Sequence, residues 1–213
     1  MTETVVFALV LALLRGYKLK DIFELLKHWS FYPIIFTCIV HIYMIYLTIH
    51  SEYWFIEYAK YIKILSILFY LCLIWQYKLF DMSIFSKFKI KKNPILTTIS
   101  SPVSLGVLCI WIGSILNIIA MKYNNLKMPV FSNVSFGTGY SKVDMFNEML
   151  QYKDFHTFGD HTTNLIFLTD IFDCFFSIMS IGDIFSRNFV VLVIYYSIKT
   201  IHNSNIIIDN KLI

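Results

Sequence analysis

Charge is scarce in this sequence. Of its 213 residues only 15% are Asp, Glu, Lys or Arg, while 57% are hydrophobic; soluble domains carry about 25% charged residues. The apolar residues fall in long blocks rather than alternating patterns, and a soluble fold would have to expose large patches of them. The composition therefore excludes a soluble globular class and leaves an integral membrane protein. Basic clustering is also missing. The formal net charge is only +4, and no polar surface with a basic patch is evident, which argues against nucleic-acid recognition. The four cysteines, Cys38, Cys72, Cys109 and Cys174, lie in apolar runs with neither CxxC nor Cys/His spacing. They indicate neither a zinc site nor a disulfide framework and read as small buried hydrophobes. A cleavable leader would need positive charge ahead of its apolar core. Here Glu3 precedes the run MTETVVFALVLALLRG and Arg15 follows it, so an uncleaved first membrane segment is expected.

What the chain has instead is hydrophobic length. A spanning helix needs about 20 apolar residues, because the hydrocarbon layer is roughly 30 Å thick and each residue rises 1.5 Å. Residues 29–50, 60–80 and 99–121 qualify, 181–202 qualifies with its polar start at the interface, and 2–14 is short. The expected fold is all-α: a polytopic membrane helical bundle of about five spans, with short interfacial or re-entrant helices, forming a single membrane domain over 1–213. Lysine and arginine in short loops set orientation. RGYKLKDIFELLKHW, with Ile22, Leu25, Leu26 and Trp29 at helical spacing, reads as an amphipathic helix on the inner surface. KLFDMSIFSKFKIKKNP holds Lys78, Lys87, Lys89, Lys91 and Lys92 against Asp81, the strongest cytoplasmic signal in the chain. With five spans the amino end lies outside, the carboxyl end inside, and 122–180 is extracytoplasmic.

The remaining polar residues gather in 122–180. Pro129 keeps Met128 out of helical geometry, and Gly137 and Gly139 mark turns. A loop this long is ordinarily functional or disordered, and its aromatics favour order. From Asn164 to Met179 the chain is apolar except for Asp170 and Asp173, which suits a short interfacial helix or a re-entrant hairpin; in a helix the two carboxylates share a face. Each must reach water, a cation or a partner, since a charge at the bilayer centre costs about 2.5–3.5 kcal/mol. In SIGD, Ser180 and Asp183 have the spacing of a capping box, Arg187 is a further helical partner, and Gly182 suits close approach of a backbone or a ligand. Asn117, inside a span, reads as a bond across helices.

Four stretches together resemble a bacterial family of small multi-spanning membrane proteins catalogued as domain of unknown function 5317. ALLRGYKLKDI (12–22) is similar to its first span and Arg-Gly turn. NNLKMPV (124–130) is similar to its Asn-to-Met-Pro-Val loop, HTFGDHTTNLIFLTDIF (156–172) to its His-to-Asp run, and SIGD (180–183) to the start of its last span. Asn125 and Leu126 stand where the family tends to have glycines. The resemblance implies a multi-pass protein of the bacterial inner membrane and carries no activity.

Three functions stay open. The polar segment forms a binding site for a small molecule, lipid headgroup or cation, built from Asn124, Asn125, Met128, Pro129, His156, Thr163, Asp170, Gly182 and Asp183. Alternatively it docks a protein partner as part of an accessory or scaffold subunit. The third, a metal-dependent hydrolase using His156, His161 and the aspartates, is the weakest, since the sequence has no His-Glu-x-x-His helix, serine elbow or glycine-rich phosphate loop. Whether a cofactor or metal is bound is left open by the sequence, and the bilayer is the one partner that composition alone requires.

Overall fold

The structure is a computed structural model that describes residues 2–82, 100–142, 145, 148, 155–174 and 176–209. Its helices are α1 (Thr2–Leu14), α2 (Leu19–Lys27), α3 (Tyr32–Ile49), α4 (Ile56–Gln76), α5 (Pro102–Tyr123), the single turn α6 (Val134–Gly137) and α7 (Ile181–Asp209). Among the described residues four helices are long and apolar enough to cross a membrane: Trp29–Ile49, Ile56–Gln76, Pro102–Tyr123 and Ile181–Ile208. The all-α bundle expected from the sequence is what forms. At 13 residues, α1 is about 20 Å long, less than the hydrocarbon thickness. The basic run Lys87–Lys92 falls outside the described residues.

Local chemistry sets the helix ends. Ser101 accepts the Ser104 N–H at 3.1 Å, an N-cap followed by proline at the first helical position of α5. Gly16, at φ +88°, ends α1, and the Tyr17 N–H reaches back to the Ala12 carbonyl at 3.2 Å, closing a left-handed C-cap. Past the end of α5 both Asn125 (φ +55°) and Leu126 (φ +61°) are left-handed, and the Leu126 N–H bonds the Met121 carbonyl at 2.8 Å. Glycine adopts that conformation freely; leucine does so at a steric cost, so the two positions where the family resemblance expects glycine are where the backbone asks for it.

The chain divides into two compact units. Unit 1 comprises Met1–Cys38, Leu65–Cys109 and Arg187–Ile213, and unit 2 comprises Ile39–Ile64 and Ile110–Ser186. Within unit 1, Ala8 and Ala12 of α1 are fully buried, as are Leu25, Ile34, Tyr70, Leu73, Val193, Ile194 and Ile198. The small alanines let α1 approach its neighbours closely. Tyr70 meets Phe189 edge-on at 6.1 Å. Trp29, read with the apolar stripe of α2, lies beyond that helix in a 3₁₀ turn and is exposed.

Unit 2 packs two apolar clusters, one of Tyr53, Val130 and Met145, the other of Ala120, Met128 and Leu168. Both rest on β1 (Met128–Val130), which pairs in parallel with β2 (His156–Phe158). Here the helical alternative for Asn164–Met179 is corrected. The segment is not a helix, so Asp170 and Asp173 share no helical face. Leu165, at φ +50°, turns the chain into a short 3₁₀ stretch at Ile166–Leu168. Asp170 then bridges to Val130, and β3 (Phe172–Asp173) pairs antiparallel with β4 (Ile178–Met179). The physical reason is backbone satisfaction: Asp170 donates its N–H to Pro129 and accepts from Phe131 (3.1 and 2.8 Å), so its peptide groups serve β1 rather than a local helix.

The surface of the long helices is apolar. Ile39, Trp75, Trp111 and Ile118 are all largely exposed, which fits a lipid environment. About 50% of the apolar window of α7 is buried, against 22–24% for the other three spans, so α7 is the one most enclosed by protein.

Candidate functional site

Within unit 2, the start of α7 meets the middle of α5 through a closed ring of polar bonds. Ser180 caps α7, accepting the Asp183 N–H on its hydroxyl oxygen at 2.9 Å. It donates its own proton to Asn117 Oδ1 at 2.7 Å, and Asn117 returns an N–H to Asp183 Oδ1 at 3.0 Å. One half of the capping box is therefore present; the Asp183 carboxylate extends across to Asn117. Gly182 sits inside this ring. A Cβ there would fall on Asn117 Oδ1 and against the Gly113 carbonyl, and a Cβ on Gly113 would collide with the Gly182 carbonyl and Ser186. The glycine pair exists so that two helix backbones can touch. Arg187 forms an ion pair with Glu3 at 3.8 Å.

Ser180 thus has two bonds to lose. Ser180→Ala is expected to cost about 2 kcal/mol, the upper end for an N-cap, and Ser180→Thr to stay within about 0.5 kcal/mol. Chemical unfolding in mixed micelles measures both; equal losses would show that the hydroxyl is not what holds the helix start.

The β1–β2 ladder brings four of the sequence-derived candidates together. Met128 and Pro129 face His156 and Thr157 in register. His156 Nε2 lies 3.7 Å from the Asp170 carboxylate, with 5% of the Asp170 side chain and 32% of the His156 side chain exposed. Asn124 forms a separate clamp. Its amide donates to the Ala120 and Asn164 carbonyls and its Oδ1 accepts the Asn164 N–H (2.8, 2.9 and 2.9 Å), while Asn164 Nδ2 donates to the Tyr123 carbonyl. Asn125 contributes a left-handed backbone. Thr163 accepts the Asp160 N–H at 3.0 Å, inside a turn whose Asp160 carboxylate takes two bonds from Thr162; those bonds hold the Asp160 carboxyl below the usual range.

Asp173, absent from the candidate set that the sequence suggests, has a firm structural role. One of its oxygens accepts the Asn133 N–H, the Ser135 N–H and the Ser135 hydroxyl at 2.7, 2.9 and 2.7 Å. Burial raises its pKa, and these bonds outweigh that, so the carboxyl titrates below its ordinary value. Lys142 ties the same segment to the end of α3 through the Ile49 carbonyl and the Ser51 hydroxyl. Among the described residues no three His, Cys, Asp or Glu side chains come together as a metal set.

Sequence reasoning missed a polar network in unit 1. Asp21 lies on the inward face of α2 beside Ile22 and Leu25 and is 1% exposed. Its carboxylate is 2.7 Å from His202 Nδ1 and 3.0 Å from Asn205 Nδ2, and it accepts the Lys18 N–H at 3.0 Å. Burial acts to raise its pKa; the bonds from Asn205, His202 and Lys18 prevail and keep the carboxyl below the usual range. Beside it the Tyr17 hydroxyl donates to Tyr195 at 3.3 Å, and burial pushes the Tyr17 phenol well up. A signal was present: Asp21 and Leu25 are four apart on one helical face, and His202 and Asn205 are three apart on another.

Residues 94–195 match a family described as Family of unknown function (DUF5317). That stretch of the chain is similar to the family. The DUF5317 match takes in the Asn117–Ser180–Asp183 ring, the β1–β2 ladder and the His156–Asp170 pair, and leaves Asp21, His202 and Asn205 outside. No curated protein and no solved structure matches the chain.

Proposed function

We propose that this is a non-catalytic accessory subunit of a membrane complex, its amino end outside and its carboxyl end inside the bacterial cytoplasmic membrane, with 122–180 as an extracytoplasmic docking face for another membrane protein. One observation carries this reading: several polar side chains in and beside this segment are spent on bonds within the fold itself. Asn124 clamps Asn164, Asp173 holds the α6 turn, Thr163 closes the Asp160 turn, and Asp183 bonds Asn117. Catalysis and capture of a small polar ligand need side chains with unspent bonding capacity in a concavity. Docking needs a rigid, pre-organised surface with aromatic anchors, and Phe136, Phe155, Phe167 and Phe172 stand exposed on this one. The competing reading, a small-ligand site, keeps His156 over the buried Asp170 as its centre.

One labelling scheme tests orientation and docking together. In a cysteine-free chain, single cysteines replace His161 and Lys20, both exposed. Intact cells receive a membrane-impermeant, thiol-reactive photo-crosslinker. His161→Cys is expected to react and to yield one discrete protein-sized adduct, and Lys20→Cys to react only after permeabilisation. Reaction at Lys20→Cys alone overturns the orientation. Reaction at His161→Cys without a protein adduct overturns the docking role and returns the segment to the small-ligand reading.

A further inference from the structure

The strongest feature unrelated to the docking face is a cleft of about 350 Å³ in unit 1, beside the Asp21 network. Its lining includes Glu24 and His28, Gln76 and Tyr77, and Thr200, Ser204 and Asn205 near the end of α7. Its volume is at the lower end of the range for small-molecule sites.

Counting hydrogens shows what the lining offers. Asn205 spends both amide hydrogens, on Asp21 Oδ1 at 3.0 Å and Glu24 Oε2 at 2.9 Å, which leaves its carbonyl oxygen as an acceptor. Ser204 donates its hydroxyl proton to the Thr200 carbonyl at 2.9 Å, and Thr200 donates to the Tyr196 carbonyl at 2.9 Å. Both oxygens keep lone pairs and have no second proton to give. Glu24 adds a carboxylate. It pairs with Lys20, 3.9 Å away with 72% of its side chain exposed, a pairing that water screens. Tyr77 and His28 supply neighbouring ring faces, their centroids 5.9 Å apart. Burial, then the charge of Glu24, pushes the Tyr77 phenol up to about 12, so the ring stays neutral. The donors in the lining are the Gln76 amide, the Tyr77 hydroxyl and His28; Nδ1 of His28 accepts the Ser30 N–H, so its neutral form carries hydrogen on Nε2.

A site with one carboxylate, three hydroxyl or amide acceptors and aromatic walls selects a group that is positively charged and rich in N–H. We infer that this cleft binds a primary ammonium. The alkyl side of the ligand lies along Ile201, the N–H groups reach Glu24, Ser204 and Asn205, and the charge sits against the ring faces. Two sources share this chemistry: the ethanolamine headgroup of a phospholipid and a free aliphatic diamine.

The full chain is reconstituted in nanodiscs of phosphatidylglycerol, which has no ammonium group. In one arm 1,4-diaminobutane is titrated and binding followed by calorimetry. In the other, phosphatidylethanolamine is mixed in and the lipid retained on the protein is identified by native mass spectrometry. Binding in the first arm alone identifies a soluble amine; retention in the second alone identifies the headgroup. In the productive arm Glu24→Gln, which keeps an acceptor for Asn205 but removes the charge, is expected to weaken binding at least tenfold, and Lys20→Gln to leave it unchanged or tighter. Ser204→Val, which fills the cleft without touching the Asp21 network, is the second variant and should abolish binding if Glu24→Gln does not assemble. No amine binding together with no preference for phosphatidylethanolamine overturns the inference, as does wild-type affinity in Ser204→Val.

Discussion

Gly182→Val is expected to prevent stable assembly of the α5–α7 contact, with a loss of about 3 kcal/mol or more. Forcing extra methyl groups into a packed interior costs about 1–3 kcal/mol where side chains can yield. Here the atoms met are a backbone carbonyl, Gly113 O, and an amide oxygen already held by Ser180, neither of which has room to retreat. Gly182→Ala should cost less, yet remain clearly measurable. Gly113→Ala should resemble it, because its Cβ meets the Gly182 carbonyl and Ser186. Gly137→Ala is the internal control: a methyl group there would meet nothing within 4 Å, and the change should stay within about 0.5 kcal/mol. Unfolding midpoints in a mixed-micelle titration rank the four variants. A Gly182→Ala protein as stable as wild type would show that the helices have slack, and would restore the alternative that glycine is there to admit a ligand.

This contact also marks how far the sequence could be read. Ser180, Asp183 and Asn117 were each intelligible alone, as a cap, an acid in the first turn and a polar residue inside a span. That the three close into one ring depends on which face of α5 meets the start of α7, and no local pattern encodes that. The four long spans were legible because lipid demands unbroken apolar length, a constraint that needs no tertiary information. Asn164–Met179 was not. Its shape depends on β1 taking His156–Phe158 on one side and Asp170 on the other, pairings between residues about 30 and 40 apart in the chain. Strand pairs of that range leave little trace in a segment of three residues. Nothing in the composition distinguished Asp173 from Asp170; the difference lies in the N–H groups of Asn133 and Ser135 that the fold brings to it. Asp21 was hidden by its neighbours Lys18, Lys20 and Lys27, which gave α2 the look of a surface helix. The inward face became visible only when His202 and Asn205 arrived from the far end of the chain.

Asp21→Ala is accordingly expected to destabilise unit 1 by about 3 kcal/mol or more, the cost of removing one member of a buried, hydrogen-bonded pair. The carboxylate accepts from the His202 ring, the Asn205 amide and the Lys18 N–H, and Asp21 itself is 1% exposed, so its removal breaks three bonds and empties a buried position. Asp21→Asn keeps the shape but turns one oxygen into a donor facing other donors, and should recover only part of the loss. The pH dependence has a definite sign. The folded carboxyl titrates below its ordinary value, which is about 3.9, so on acidification the unfolded chain takes up its proton first. The stabilisation is therefore complete above that ordinary value and drains away as pH falls below it towards the folded value. Thermal unfolding in detergent at pH 7 should place Asp21→Ala well below wild type, and the gap should narrow as the pH is lowered from about 4. Coincident midpoints at pH 7 would mean that the network is decoration on a contact held by Ile22 and Leu25. A gap that widens on acidification would mean that the charge on Asp21 opposes the fold.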